Sequence, residues 1–212
     1  MKFLMLLPLF MLPPGSPPQI LKKVNVDYML RGYFYAASAD YPELAGAGGW
    51  GGSGNGSHQF TAVAGGKGLE ILVDTTAVVP FATEFEGFKV IMRNHGPETL
   101  YFPAQDSRLD MKTQAMRADT FADIEYLPGS WCGNSYHTLY LAAGEQWEFT
   151  MPKYGGKRST RLRLEVRYGR EPDRHEGIEA VYSHTLPGAV NDGQFSEKQG
   201  HNPQGLMDPY DE

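Results

Sequence analysis

The chain of 212 residues contains a single cysteine, Cys132. One thiol cannot form an internal disulfide, and it excludes a zinc or redox site built on a Cys-x-x-Cys pair. The stability of the folded chain must therefore come from a packed core. The chain also lacks any apolar run as long as the roughly 20 residues that a membrane-spanning helix needs.

A surplus of positive charge is missing as well. The formal net charge is −6, whereas a nucleic-acid-binding protein needs excess lysine and arginine to neutralise phosphates. We therefore expect no nucleic-acid partner. Because the sequence has no fixed-period repeat, solenoids and propellers are not expected either.

Residues 1–16 have the pattern of a secretory signal peptide. Lys2 precedes an apolar stretch, Phe3 to Leu12, of the length that such a signal requires. The prolines that follow make a poor cleavage site, so an uncleaved anchor and an apolar segment packed on the domain are the alternatives. We expect an extracytoplasmic protein, secreted or periplasmic, without a transmembrane span unless this segment is retained.

Short stretches with an apolar residue at every second position recur from Leu69 to Tyr182, and turn residues separate them. Such alternation is typical of half-buried strands. Clear examples are Phe88-Val90-Met92, Trp147-Phe149-Met151 and Leu162-Leu164-Val166-Tyr168. About eight or nine strands without helical periodicity predict an all-β, antiparallel β-sandwich, with a closed β-barrel as the alternative.

The same pattern divides the chain into four parts. After the signal peptide, residues 17–68 hold one predicted strand, alternating from Val24 to Phe34, and a loop dominated by glycine from Gly46 to Ser57. Residues 69–190 form the sandwich core. In residues 191–212 the alternation stops and Gly, Pro, Asn and acidic residues replace it, which predicts a flexible acidic tail.

Three features between Leu69 and Tyr182 resemble bacterial extracytoplasmic immunoglobulin-like domains. They are a strand–turn–strand unit from Phe88 to Phe102, the sequence Leu-Ala-Ala-Gly-Glu before Trp147, and a basic strand late in the chain. The resemblance implies an immunoglobulin-like sandwich and an extracytoplasmic setting. It assigns no catalytic residue.

The stretch around Cys132 is the most distinctive in the sequence. Cys132 and His137, with Asn134 between them, are candidate catalytic residues, because a thiol and an imidazole can act as nucleophile and base. Five residues along a strand would place the two side chains on opposite faces, although a turn at Gly133 would bring them together. The competing interpretation is that Trp131 and Cys132 close the end of the core.

His95, Cys132 and His137 also form a candidate metal site. A blue-copper centre uses two histidines and one cysteine, often with a methionine, on a sandwich fold. The methionine expected just after the second histidine is missing, because Ala142 and Ala143 occupy those positions. We therefore expect no cofactor and keep copper as an alternative.

Four further residues are candidates for ligand binding. Arg161, Arg163 and Arg167 share one face of a predicted strand, and guanidinium groups suit carboxylates, anionic glycans or a protein partner. The same arginines fit the solvated face of an edge strand, which is the structural alternative. Trp50, in the loop of glycines, is an aromatic residue in a position suited to recognition.

Two functional classes follow from these observations. The first is a secreted or periplasmic binding module without enzymatic activity, whose partner is an unidentified protein or glycan. The second is a hydrolase or metal-binding protein centred on Cys132 and His137. Nucleotide binding is not expected, because the Gly46-x-Gly48-x-x-Gly51 pattern lacks the flanking strand and helix that such a loop needs.

Overall fold

The computed structural model of the chain describes residues 20–38, 51–61, 66–129, 135–172 and 177–199. These residues form β-strands and a single short 3-10 helix, Asp192–Phe195. The fold is all-β with antiparallel sheets, as the sequence predicts. Nothing in the described ranges is a helix with the length and apolar character needed to cross a membrane. The predicted signal peptide, residues 1–16, lies outside them.

The described residues contain fourteen strands. In chain order they are β1 (Leu30–Arg31), β2 (His58–Gln59), β3 (Leu69–Phe81), β4 (Phe85–Asn94), β5 (Leu100–Gln105), β6 (Arg108–Leu109), β7 (Met111–Arg117), β8 (Thr120–Asp123), β9 (Glu125–Tyr126), β10 (Tyr136–Leu141), β11 (Glu145–Pro152), β12 (Arg158–Tyr168), β13 (Glu179–Tyr182) and β14 (Leu186–Val190).

The strands form four sheets. Two antiparallel sheets have the orders β2-β11-β4-β3 and β13-β12-β7-β8, and β14 pairs with the first half of β12. A third antiparallel sheet has the order β10-β5-β6, and the short strands β1 and β9 pair in parallel. The prediction of eight or nine strands is therefore too low. It missed β2, β8 and β14, which lie outside the alternating stretches.

The predicted faces of the long strands are confirmed. Trp147 and Met151 in β11 and Leu164 and Val166 in β12 are completely buried, whereas Glu148, Thr150 and Arg163 on the opposite faces are partly exposed. Glu165 is an exception, because it is 7% exposed. The indole ring of Trp147 meets Phe102 of β5 edge-on, with ring centroids 5.2 Å apart. The core therefore lies between the sheets, where apolar faces meet.

The N-terminal segment is part of this core and is not the alternating strand that the sequence predicts. Neighbouring residues from Leu30 to Phe34 are all buried, so both sides of the chain are covered there. The segment runs between β9 and β6: Gly32 N–H donates to the carbonyl of Tyr126, and Leu109 N–H donates to the carbonyl of Phe34. A segment buried on both sides cannot show period-two alternation.

Residues 191–199 also differ from the prediction of a flexible tail. The Gly193 N–H donates to Oδ1 of Asp27 at 2.7 Å, and Met29 N–H donates to the carbonyl of Glu197 at 2.6 Å. Gln194 is almost fully buried. This segment therefore packs on the N-terminal segment through residue 199, and residues 200–212 lie outside the described ranges.

Strands β12 and β13 differ from the sequence predictions in two respects. β12 is an inner strand, between β7 on one side and β13 and β14 on the other, and so it is not an edge strand. The sequence also predicts that Ile178, Ala180 and Tyr182 face the core. Instead, Ala180 is exposed and Tyr182 is 43% exposed, because the ring of Tyr182 packs on Arg163 at the outer surface.

Candidate functional site

Three of the candidate residues lie outside the described part of the chain. They are Trp50, Cys132 and Asn134. The structure places the remaining five, which are His95, His137, Arg161, Arg163 and Arg167.

The two histidines of the candidate copper site are not brought together. His95 follows β4, where its Nε2 lies 2.9 Å from a carboxylate oxygen of Glu70. The neighbouring Asn94 donates to the carbonyl of Leu141, at the far end of β10 from His137. Four residues of strand span about 13 Å. Within the described ranges, no three His, Cys, Asp or Glu side chains are grouped so that they could hold a metal ion.

His137 points into the protein and is 6% exposed. Its Nδ1 lies 3.1 Å from the carbonyl oxygen of Ser135. Because a carbonyl only accepts, Nδ1 carries the proton of this hydrogen bond. The imidazole is therefore held in a fixed orientation by its own turn, at the start of β10.

The arginine stripe does face away from the core, but two of its members are engaged within the sheet. The guanidinium of Arg163 lies between two rings, 4.1 Å from the centroid of Phe121 and 3.8 Å from that of Tyr182. Its Nε donates to Oε1 of Gln114 at 2.9 Å.

Arg167 lies 3.4 Å from the carboxylate of Glu165 and 3.9 Å from that of Asp110. Arg161 is exposed, and its side chain makes no hydrogen bond or ion pair with the described residues. The three arginines therefore do not form one free cationic surface, since acidic and aromatic side chains of the same sheet occupy two of them.

A different place has the geometry of a binding site. A cavity of about 180 Å³ lies beside β5 and β6, lined by Pro103, Ala104, Gln105, Arg108, Asp110, Leu127, Pro128, Gly129 and Tyr136. It is smaller than the ~300–1,000 Å³ pockets that hold drug-sized molecules. The exposed residues Gly129 and Tyr136 lie at its mouth. Residues 130–134, which include Cys132, follow Gly129 in the sequence.

A tight turn places Arg108 in the wall of this cavity. Asp106 and Ser107 both have positive φ, 47° and 62°, which is the conformation of a two-residue type I′ hairpin turn between β5 and β6. Their side chains are held from outside: Asp106 accepts from Gly51 N–H, and Ser107 donates to the Gly51 carbonyl. The turn sets Arg108 opposite Gln105.

The stem of Arg108 is enclosed by the N-terminal segment. A Cβ on Gly32 would lie 3.2 Å from Cδ of Arg108 and 2.6 Å from Cδ2 of Leu127. Glycine at position 32 therefore allows the segment to approach both walls of the cavity closely. Tyr35 pairs with Arg108 in a β-bridge, and its ring centroid lies 5.9 Å from the guanidinium carbon.

The guanidinium of Arg108 has few hydrogen-bond acceptors among the described residues. The residue is 5% exposed, yet its guanidinium donates a single hydrogen bond within the described structure. This bond runs from Nη2 to Oε1 of Gln105 and is 2.9 Å long. Its buried Nε has no acceptor there, and no described carboxylate lies within ion-pairing distance. A buried charge without a counter-charge is costly, so this group is suited to receive an anion.

Asp110 is the other ionisable group in the cavity wall. It stands two residues after Arg108, between β6 and β7, and lines the same cavity. Burial raises the pKa of the Asp110 carboxyl, and the positive charges of Lys112 and Arg167 oppose that rise. The cavity wall therefore combines a cation that has no ion-pair partner among the described residues with a carboxyl whose pKa is raised by burial.

A second buried polar cluster lies in the core around Glu125 of β9. Glu125 is completely buried and accepts hydrogen bonds from the phenols of Tyr33 and Tyr154 and from the Thr113 N–H. Burial raises the pKa of the Glu125 carboxyl, while these donors lower it. Its donors satisfy both carboxylate oxygens, so the cluster is suited to hold the core together.

Sequence reasoning missed Arg108, Asp110 and Glu125. All three belong to stretches of alternation in which charged residues are expected to face solvent. The one available signal is the pair Asp106-Ser107 between two short strands, because such residues favour a tight turn and would place Arg108 directly after it.

Comparison with known proteins gives no family for the chain. No protein-family model matches it, and no curated protein matches it significantly.

Proposed function

We propose that this protein is an extracytoplasmic binding module with an immunoglobulin-like sandwich, and that it binds a small ligand in the Arg108 cavity without catalysing a reaction. The observation that carries the proposal is a buried guanidinium that lies in the wall of a cavity with no described carboxylate within ion-pairing distance. Cavities lined by apolar groups and a few polar ones are the usual form of small-molecule sites.

The antiparallel sheets and the core between them support the immunoglobulin-like arrangement. The N-terminal signal pattern, Lys2 followed by Phe3 to Leu12, supports export. Export is tested by fusing the full chain to a reporter enzyme that needs disulfides, since these form only outside the cytoplasm. Reporter activity that survives replacement of Leu6 and Leu7 by Asp would contradict the proposal.

Binding in the cavity is tested by two-dimensional NMR of the full chain with a mixed library of small acids, amines, amides and sugars. We expect shifts clustered at the backbone amides of Ala104, Gln105 and Arg108. A Cβ at Gly129 meets no atom within 4 Å, so Gly129→Phe should fill the mouth and abolish the shifts.

Gly54 is a matched control, because a Cβ there also meets no atom within 4 Å and it does not line the cavity. Gly54→Phe should leave the shifts unchanged. A library in which no compound shifts these amides would disprove binding in the cavity, as would shifts that persist in Gly129→Phe.

A further inference from the structure

The charges that face the cavity determine what it can hold. Arg108 carries a permanent positive charge, and it uses one of the five N–H groups of its guanidinium within the described structure. A neutral or cationic ligand would leave the Arg108 charge without a counter-charge from the ligand in a poorly solvated environment. An anion would supply both a counter-charge and hydrogen-bond acceptors.

The size and walls of the cavity narrow the class of anion. Pro103, Leu127 and Pro128 give it apolar walls, which suit a short hydrocarbon group. One guanidinium balances a single negative charge, whereas a phosphate monoester carries nearly two at neutral pH. A planar carboxylate also matches the planar fork of arginine.

We propose that the cavity binds a small carboxylate, with the carboxylate group on Arg108 and its hydrocarbon part against the apolar walls. This ligand class rests on the binding function proposed above. The carboxylate is that of a free organic acid or of a peptide C-terminus, since both present the same group.

Asp110 opposes this ligand and so provides a test of the charge argument. Its carboxyl lies in the same wall, and when ionised it repels a bound carboxylate. Its ion-pair contact with Arg167, 3.9 Å away, reduces that repulsion without removing it. Arg108 and Asp110 should therefore have opposite effects on affinity.

The experiment measures dissociation constants for the full chain by NMR titration with acetate, propionate and benzoate, and with the matching neutral amides. We expect each acid to bind at least tenfold more tightly than its amide. Arg108→Gln should remove that preference, Arg108→Lys should keep part of it, and Asp110→Asn should strengthen acid binding severalfold. Arg158→Gln, on an exposed arginine paired with Asp192, should change nothing.

The source of the carboxylate is separated by two further probes. A tripeptide with a free C-terminus is compared with the same tripeptide carrying a C-terminal amide. Tight binding of the free tripeptide alone identifies a peptide end, and tighter binding of benzoate or propionate identifies a free acid; either result supports the carboxylate site.

Three results would overturn the proposal. Amides that bind the cavity as tightly as acids would leave the binding function standing and refute the ligand class, whereas a cavity that binds nothing would refute the binding function itself. Acid binding that survives in a folded Arg108→Gln, checked by circular dichroism, would refute the role of Arg108.

Discussion

The phenol of Tyr154 donates a hydrogen bond of 2.5 Å to Oε1 of Glu125 inside the core. Tyr33 donates to the same oxygen at 2.6 Å, and the Thr113 N–H donates to Oε2 at 2.7 Å. This arrangement joins the N-terminal segment, β7, β9 and the chain after β11 through one carboxyl group. Burial and the neighbouring Glu125 charge raise the pKa of both tyrosines well above the usual value, so neither ionises near neutral pH.

Glu125 should make the protein less stable as pH rises above about 4.5. Its folded-state pKa lies above the usual 4.5, so between these two values the folded state binds more protons than the unfolded state. The free energy of unfolding therefore falls as pH rises through the folded pKa and then levels off. Glu125→Gln removes this titration.

The measurement is urea unfolding of both proteins from pH 4 to 8. Glu125→Gln should be less stable by about 1–3 kcal/mol at pH 4, because its amide nitrogen cannot accept a hydrogen bond and must face either the two phenols or the Thr113 N–H. The difference from wild type should shrink at higher pH. A difference that stays constant would mean that the pKa of Glu125 is the same in the folded and unfolded states.

Arg163→Ala should cost about 1–2 kcal/mol, because the guanidinium stacks on Phe121 and Tyr182 and donates to Gln114. From the sequence alone, Arg163 is expected to be an exposed strand charge whose removal costs little. Arg161→Ala is the matched control on the same strand, and it should stay within about 0.5 kcal/mol of wild type. Equal stability of the two variants would show that the stack contributes nothing.

Leu164→Asp should unfold the protein or destabilise it by more than about 4 kcal/mol, since it buries a charge without a partner. Leu164 is completely buried in β12. Phe149→Asp in β11 should behave in the same way, whereas Arg161→Asp, at an exposed position of β12, should be tolerated. The check is thermal unfolding followed by circular dichroism. A folded Leu164→Asp with wild-type stability would mean that the faces of β12 are inverted.

The sequence correctly predicts the strands that have one solvent-exposed and one buried face. Phe88, Val90 and Met92 in β4 are buried as their alternation predicts, because the period of the pattern equals the period of a strand. The prediction fails where the chain is covered on both sides, as from Leu30 to Phe34. Alternation carries no signal there.

The candidate site was missed for a related reason. Arg108 and Glu125 occupy positions that a charged residue normally takes on a solvated face. They are buried because residues distant in the sequence contact them. Gly32 and Tyr35 lie beside Arg108, and Tyr33 and Tyr154 lie against Glu125. Contacts between residues so far apart in the chain produce no local pattern in the sequence. Tyr182 is the opposite case, an aromatic residue kept at the surface by stacking on Arg163.

Gly193→Ala tests whether residues 191–199 are docked on the N-terminal segment. A Cβ at Gly193 would clash with the carbonyl oxygen of Asp27, and backbone cannot yield as a flexible side chain does. The segment must shift away, which should cost about 1–3 kcal/mol.

The shift should also break the hydrogen bond from Met29 N–H to the Glu197 carbonyl. Hydrogen exchange therefore provides a local readout: the Met29 amide should lose protection in Gly193→Ala, while amides of β12 should keep theirs apart from the global loss of stability. Gly56→Ala is the control, because a Cβ there meets no atom within 4 Å. If Met29 exchanges at the same rate in wild type and Gly193→Ala, the segment is not held against residues 27–29, and the tail begins at residue 191.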